Sequence, residues 1–279
     1  MKNIIIILTL LFWPLSLFMA NTREDFVKNI IPLGFLIVSY FLFKKESRFY
    51  LLPSLGIPFF EAKLTLLPLT LTLCHLLFYN LKDLKLKKKP FLEVFLLIMS
   101  AIILFLNWKA FKGQTIFNHD YEAEQIVLDK INLYPSVFYA RVFQNKPRIY
   151  LNKLSDNLFA LTDPNNYFFG FHPRQIVIDN QNLKKFPFVS LLFFSFGVYF
   201  LKHFSRWRFI VLCLAASLIS LSVLKAFDRV DIILWLSISL IIVHGINMIS
   251  QKKRFRVVIY FLFLLFTIPQ LIRILLGYS

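Results

Sequence analysis

Cysteine, glycine and acidic side chains are all scarce in this chain, and each scarcity excludes a class of chemistry. Cys74 and Cys213 are the only two cysteines, and both sit inside apolar runs. A disulfide framework or a cysteine zinc site, which needs four converging ligands at short spacing, is therefore not expected. With seven glycines in 279 residues, neither GxGxxG nor GxxxxGK[ST] can be written, which removes the common phosphate-cradling loops. The 15 acids form no cluster of metal-ligand spacing, and neither a metal nor another cofactor is expected.

What the chain has is apolar surface. Hydrophobic residues make up 58% of it, including 34 phenylalanines, and the mean hydropathy is +0.65. Soluble domains hold roughly 45–50% apolar residues, so a soluble fold is excluded. The 32 basic residues give a net charge of +17. They fall in short bursts between apolar runs, the pattern of cytoplasmic loops facing anionic lipid, so the expected partners are membrane lipids and not nucleic acid.

Residues 4–20 follow a lone Lys2 and resemble a signal-peptide core, but Phe18 is too bulky for a cleavage site, so an uncleaved anchor is expected. Further apolar runs occupy residues 30–43, 64–79, 91–108, 186–201, 209–224, 232–249 and 257–272. Most approach the roughly 20 residues that a hydrocarbon core requires. The expected fold is an all-α polytopic membrane protein of about eight transmembrane helices.

Orientation follows from the basic bursts. The tract Lys82, Lys85, Lys87, Lys88 and Lys89 precedes the fourth run. Lys202, Arg206 and Arg208 precede the sixth, and Lys252, Lys253, Arg254 and Arg256 precede the eighth. An even number of crossings separates these bursts, so all three can be cytoplasmic. Asp228 and residues 109–185 then face outward. Lys44, Lys45 and Arg48 also read as cytoplasmic, which by parity requires one more crossing between them and the lysine tract. The expectation is a proline-broken crossing over residues 49–60, interrupted by Pro53 and Pro58 and shielded by other helices.

Three regions result: an N-terminal transmembrane bundle over 1–108, a small, mostly helical extracytoplasmic domain over 109–185, and a C-terminal four-helix bundle over 186–279. Seven of the acids lie in the middle region. Its pattern predicts a short helix over 122–133 and a better one over 147–161. In the latter, Leu151, Leu154, Leu158 and Leu161 recur on one face, with Asn152, Lys153, Asp156 and Asn157 elsewhere. A turn at Thr162–Asn166 should end it, and residues 175–179 alternate like one short strand. Tyr167, Phe168 and Phe169 form an aromatic cluster suited to the interface or to a lipid tail, and His172 and Arg174 could meet a phosphate head group.

Adjacent acids Glu24 and Asp25 lie just beyond the first run, on the outer side in this topology. An acid at that place resembles the polytopic glycosyltransferases that use polyprenyl-phosphate sugar donors. The resemblance implies a carboxylate acting there as base or metal ligand, and it covers these two residues and the topology. His119 beside Asp120 could bind a metal or move a proton. Within the apolar runs, His75, Glu93, Asn107, His244, Asn247 and Arg273 should face the bundle interior or reach an interface, with His244 and Asn247 sharing one helix face.

The favoured function is handling of a lipid-linked substrate, such as a polyprenyl-linked one, at the outer face, as a glycosyltransferase-like protein or an accessory to one. The alternatives are a non-catalytic membrane scaffold and a small-solute transporter. A transporter would be expected to show paired broken helices, whereas only residues 49–60 are broken in this way. Usage rich in Lys, Ile, Phe and Asn points to an AT-rich prokaryote and hence to a bacterial or archaeal cytoplasmic membrane.

Overall fold

A computed structural model describes residues 2–20, 23–80, 91–118, 145–170, 185–250 and 253–276, with positions 125, 128, 129 and 138 besides. Every extended element among the described residues is helical, and β pairing is limited to one isolated bridge, Thr115 to Leu224. Three helical stretches are long and apolar enough to cross a membrane: Val27–Lys44, Val230–Ile249 and Val257–Leu275. Shorter apolar helices cover Ile7–Phe18, Phe49–Phe59, Ala62–Phe78, Phe91–Leu106, Ser190–Tyr199 and Trp207–Ser222. The apolar runs of the sequence thus fold mainly as helix, which satisfies the backbone groups within a single segment.

Helix α1 (Lys2–Ala20) contains Pro14, and α2 (Arg23–Lys44) contains Pro32. The proline-rich stretch that follows is a 3-10 helix, Arg48–Phe59, started by the Ser47 side chain accepting the Phe49 amide. It runs back along α2: the Tyr50 ring meets Phe43 at 5.0 Å and the Phe60 ring meets Phe35 at 5.8 Å. At about 2.0 Å rise per residue, twelve residues advance about 24 Å. Beyond it, Ala62–Leu64 reach α5 (Trp108–Gly113), which continues α4 (Phe91–Leu106) past a break at Asn107. Helix α3 (Leu67–Asn80) then returns alongside.

The middle region contributes α6 (Lys146–Thr162), started as expected by a proline in its first turn and by Asn145, whose side chain accepts the Arg148 amide at 3.0 Å. Its buried face differs from the expected leucine face. Asn157 is fully buried, as are Ala160 and Leu161, whereas Leu151 and Leu158 are exposed. The Asn157 amide donates to Ser222 O and Leu224 O, each at 2.7 Å, satisfying carbonyls at the end of α8 (Trp207–Ser222). Residues 122–133 and 175–179, where a second helix and a strand are expected, lie almost entirely outside the described residues.

In the last part, α7 (Ser190–Tyr199) and α9 (Trp235–Ile249) run in the same direction, and α8, which lies between them in the chain, runs the other way. Their backbones touch at Gly197 and Gly245. A Cβ on Gly245 would lie 1.9 Å from Phe193 O, and one on Gly197 would lie 2.1 Å from Ile241 O. Helices from both sides of the middle region share one core, with α3 packed on α8 and α1 on α10 (Lys253–Leu275).

The assembly has two ends, each tied together by contacts between distant elements. At one, Phe209 packs on Tyr40, Phe43 and Tyr50, which gathers Lys44, Lys45, Arg206 and Arg208. At the other, Ile116 N donates to Val223 O and Lys225 N to Gln114 O, each at 2.9 Å, and Phe188 N reaches Gln270 Oε1 at 3.3 Å.

Candidate functional site

The second end holds a buried ion pair, whose charges are costly to desolvate. Pro164 and Asp163 start a one-turn π helix, Asn165–Phe169, in which the Asp163 carboxylate accepts the Asn165 amide at 2.9 Å. The turn closes on Gly170 at φ 76°, a left-handed conformation suited to glycine. Within it Asn166, Tyr167 and Phe168 are buried. The amides of Lys185 and Phe186 donate to Tyr167 O at 3.1 and 2.9 Å, which seats Lys185 against the turn.

From there the Lys185 ammonium donates to Asp231 Oδ2 and, at 2.9 Å, to Asn166 Oδ1. It also lies 4.7 Å from the Trp13 ring centroid and 5.3 Å from that of Tyr167, cation–π contacts that help replace lost hydration. Asp231 has no side-chain exposure and Lys185 has 13%. Asp231 is held at the start of a 3-10 turn, Val230–Leu234, after the chain reverses at Arg229, whose φ is 68°. Burial raises the Tyr167 phenol well above its ordinary pKa, the Asp231 charge raises it further, and only the Asn166 side chain acts the other way. The phenol therefore stays protonated and donates to Leu161 O at 3.0 Å.

This cluster has donors to spare. Trp13 Nε1 and Asn166 Nδ2 are buried and find no hydrogen-bond acceptor among the described residues, and a lysine ammonium carries a third N–H beyond the two used here. An oxygen-rich group entering beside Lys185 would satisfy donors that otherwise carry a desolvation cost.

The basic end holds a second polar chain. Tyr50 Oη lies 2.5 Å from His75 Nδ1, and His75 Nε2 lies 4.0 Å from Glu93 Oε1. Three elements supply it: the 3-10 helix, α3 and the first turn of α4, where the helix dipole favours a carboxylate.

The expected site residues distribute as follows. Tyr167 and Phe168 are core residues, with Phe168 packed on Phe186 and Phe194, while Phe169 is exposed and meets Phe188 at 5.1 Å. His244 is buried, its Nε2 2.9 Å from Phe200 O and its ring against Phe204. Asn247, expected on the same face, is exposed, as is Arg273. Asn107 donates to Ile103 O at 3.1 Å. Glu24 and Asp25 fall in the first turn of α2, but their side chains lie outside the described residues, as do His119, Asp120, His172 and Arg174 altogether.

Sequence reasoning passed over Lys185, Asp231, Asn166 and Trp13. The available signal was an acid heading an otherwise uncharged apolar run, since Asp231 directly precedes residues 232–249. Among the described residues no group of three or more His, Cys, Asp or Glu could hold a metal ion. No protein-family model matches the chain, and neither a curated protein nor a solved structure matches it.

Proposed function

We propose that the chain is a multi-pass protein of a prokaryotic cytoplasmic membrane that handles a lipid-linked phosphate substrate at the outer face. In this reading the three long apolar helices and the six shorter ones make nine crossings, the 3-10 helix being the proline-broken one. The gathering of the basic loops at one end supports a cytoplasmic face there. Residues 109–185 then lie outside, where the exposed Leu151, Leu158 and Phe159 of α6 meet acyl chains.

The observation that carries the substrate class is the pair of unpartnered buried donors, Trp13 Nε1 and Asn166 Nδ2, around the Lys185 ammonium. A phosphate or pyrophosphate oxygen suits such donors, and a lipid tail would follow the apolar surface beside them. His172 and Arg174, fifteen or fewer residues before Lys185 in the sequence, would add charge for the same group. A non-catalytic scaffold is the second reading, favoured by the use of Tyr167 and Phe168 as core packing.

Extraction of the protein with its surrounding lipid into polymer discs, followed by native mass spectrometry, separates the two. The proposal expects a polyprenyl-phosphate-class lipid in stoichiometric amount on the unmodified protein, and its loss in Asn166→Asp, which sets a second anion beside Lys185. Bulk phospholipid alone on the unmodified protein would favour the scaffold.

A further inference from the structure

Tyr50, His75 and Glu93 take no part in the reading above, and they stand at the opposite end of the bundle. Their burial is graded. The Glu93 side chain is 31% exposed and that of His75 14% exposed, while Tyr50 is buried at 6%. The Tyr50 ring is fixed edge-on by Phe43 and His75, at 5.0 and 5.5 Å between centroids, and also packs on Phe209. The groups therefore form an ordered line from a partly exposed carboxylate to an enclosed phenol.

We propose that Tyr50, His75 and Glu93 form a proton-binding relay, loaded from the Glu93 side and independent of the Lys185–Asp231 pair. With His75 neutral, its Nδ1–H donates to the Tyr50 oxygen across 2.5 Å, and the lone pair of Nε2 faces Glu93. The 4.0 Å separation there is an electrostatic contact and not a hydrogen bond. A hydronium ion reaching the Glu93 side gives its proton to Nε2 and is left as water, while Nδ1–H goes on donating to the phenol oxygen. No other bond forms or breaks, and the Glu93 carboxylate balances the imidazolium charge.

The added charge acts on a specific element, because Tyr50, which accepts from the imidazole, belongs to the 3-10 helix that runs back along α2. Other titratable groups at this end are Tyr40 of α2 with Arg206 near it, and Cys213 of α8 near Cys74. None of these supplies the anion that Glu93 does. The proton site is thus built from three helical elements that converge on the basic end.

Imidazole nitrogen NMR on histidine-labelled protein in lipid discs tests the relay, with the His75 resonances assigned by their loss in His75→Gln. The relay requires His75 to titrate with a midpoint that falls by about one pH unit in Glu93→Gln, the scale of losing a close opposite charge. It also requires the Nδ1 shift of the neutral ring to move in Tyr50→Phe, while exposed His203 responds to neither change. Both substitutions keep side-chain shape, so the fold is retained. An unchanged His75 midpoint in Glu93→Gln, or an Nδ1 shift indifferent to Tyr50→Phe, would overturn the proposal.

Discussion

Lys185 and Asp231, 46 positions apart, form an ion pair in which the carboxylate has no contact with solvent. One charge arrives on the last residues of the middle region and the other on the turn that opens α9, so the pair ties the middle region to the bundle. A buried pair of this kind is weak evidence of net stability, because desolvation offsets most of the Coulomb attraction.

That balance predicts an asymmetry between single and double substitutions. Lys185→Met alone strands the Asp231 carboxylate and should destabilise the protein by about 3–5 kcal/mol. Lys185→Met combined with Asp231→Leu should recover most of the loss. Thermal unfolding in one detergent, followed by far-UV circular dichroism, gives the comparison, and a double variant no better than the single one would contradict it.

A different kind of intolerance is expected where α7 and α9 cross. Alanine at Gly245 would place a methyl 1.9 Å from the Phe193 carbonyl oxygen, and backbone cannot yield as a side-chain tip can. Gly245→Ala and Gly197→Ala should each destabilise by about 1–3 kcal/mol or more, the range for overpacking. By contrast, Gly34→Ala and Gly113→Ala meet open space and should change little. Limited proteolysis midpoints measured on the four variants would rank them.

Asn157 and Leu158 are neighbours with opposite burial. Asn157→Leu removes the donor to two carbonyls, and leaving buried acceptors unsatisfied costs about 1–3 kcal/mol. Leu158→Asn changes an exposed position and should leave thermal stability within about 0.5 kcal/mol. Equal effects from the two substitutions would mean that α6 is not docked through Asn157.

Much of the fold was legible because the sequence signal is local. The apolar runs, the helix over the first of them, and the Pro147 start of α6 all follow from neighbouring residues. The stretch bearing Pro53 and Pro58 was expected to be broken by its prolines, and a 3-10 helix is how the chain accommodates them. The leucine stripe of α6, expected to face acyl chains or the bundle, does not by itself identify the side that packs on the bundle, since an apolar stripe is served by either. There a polar residue, Asn157, is innermost because it completes the end of another helix.

The site was illegible for a related reason. Lys185 and Asp231 each sit next to an apolar run and look like ordinary loop charges, and only their pairing across 46 positions makes them unusual. Tyr50 carries no sequence mark at all. Its role depends on the 3-10 helix placing it opposite His75.

The central claim is that the basic end and the Lys185–Asp231 end lie on opposite sides of a membrane. Single cysteines at the exposed positions Lys45, Lys202, Lys112 and Asn152 test it most directly, since native Cys74 and Cys213 are buried. With a membrane-impermeant maleimide applied to intact cells, Lys112→Cys and Asn152→Cys should label, while Lys45→Cys and Lys202→Cys should label only after the membrane is opened. Labelling of Lys45→Cys or Lys202→Cys in intact cells, or of all four alike, would contradict the account.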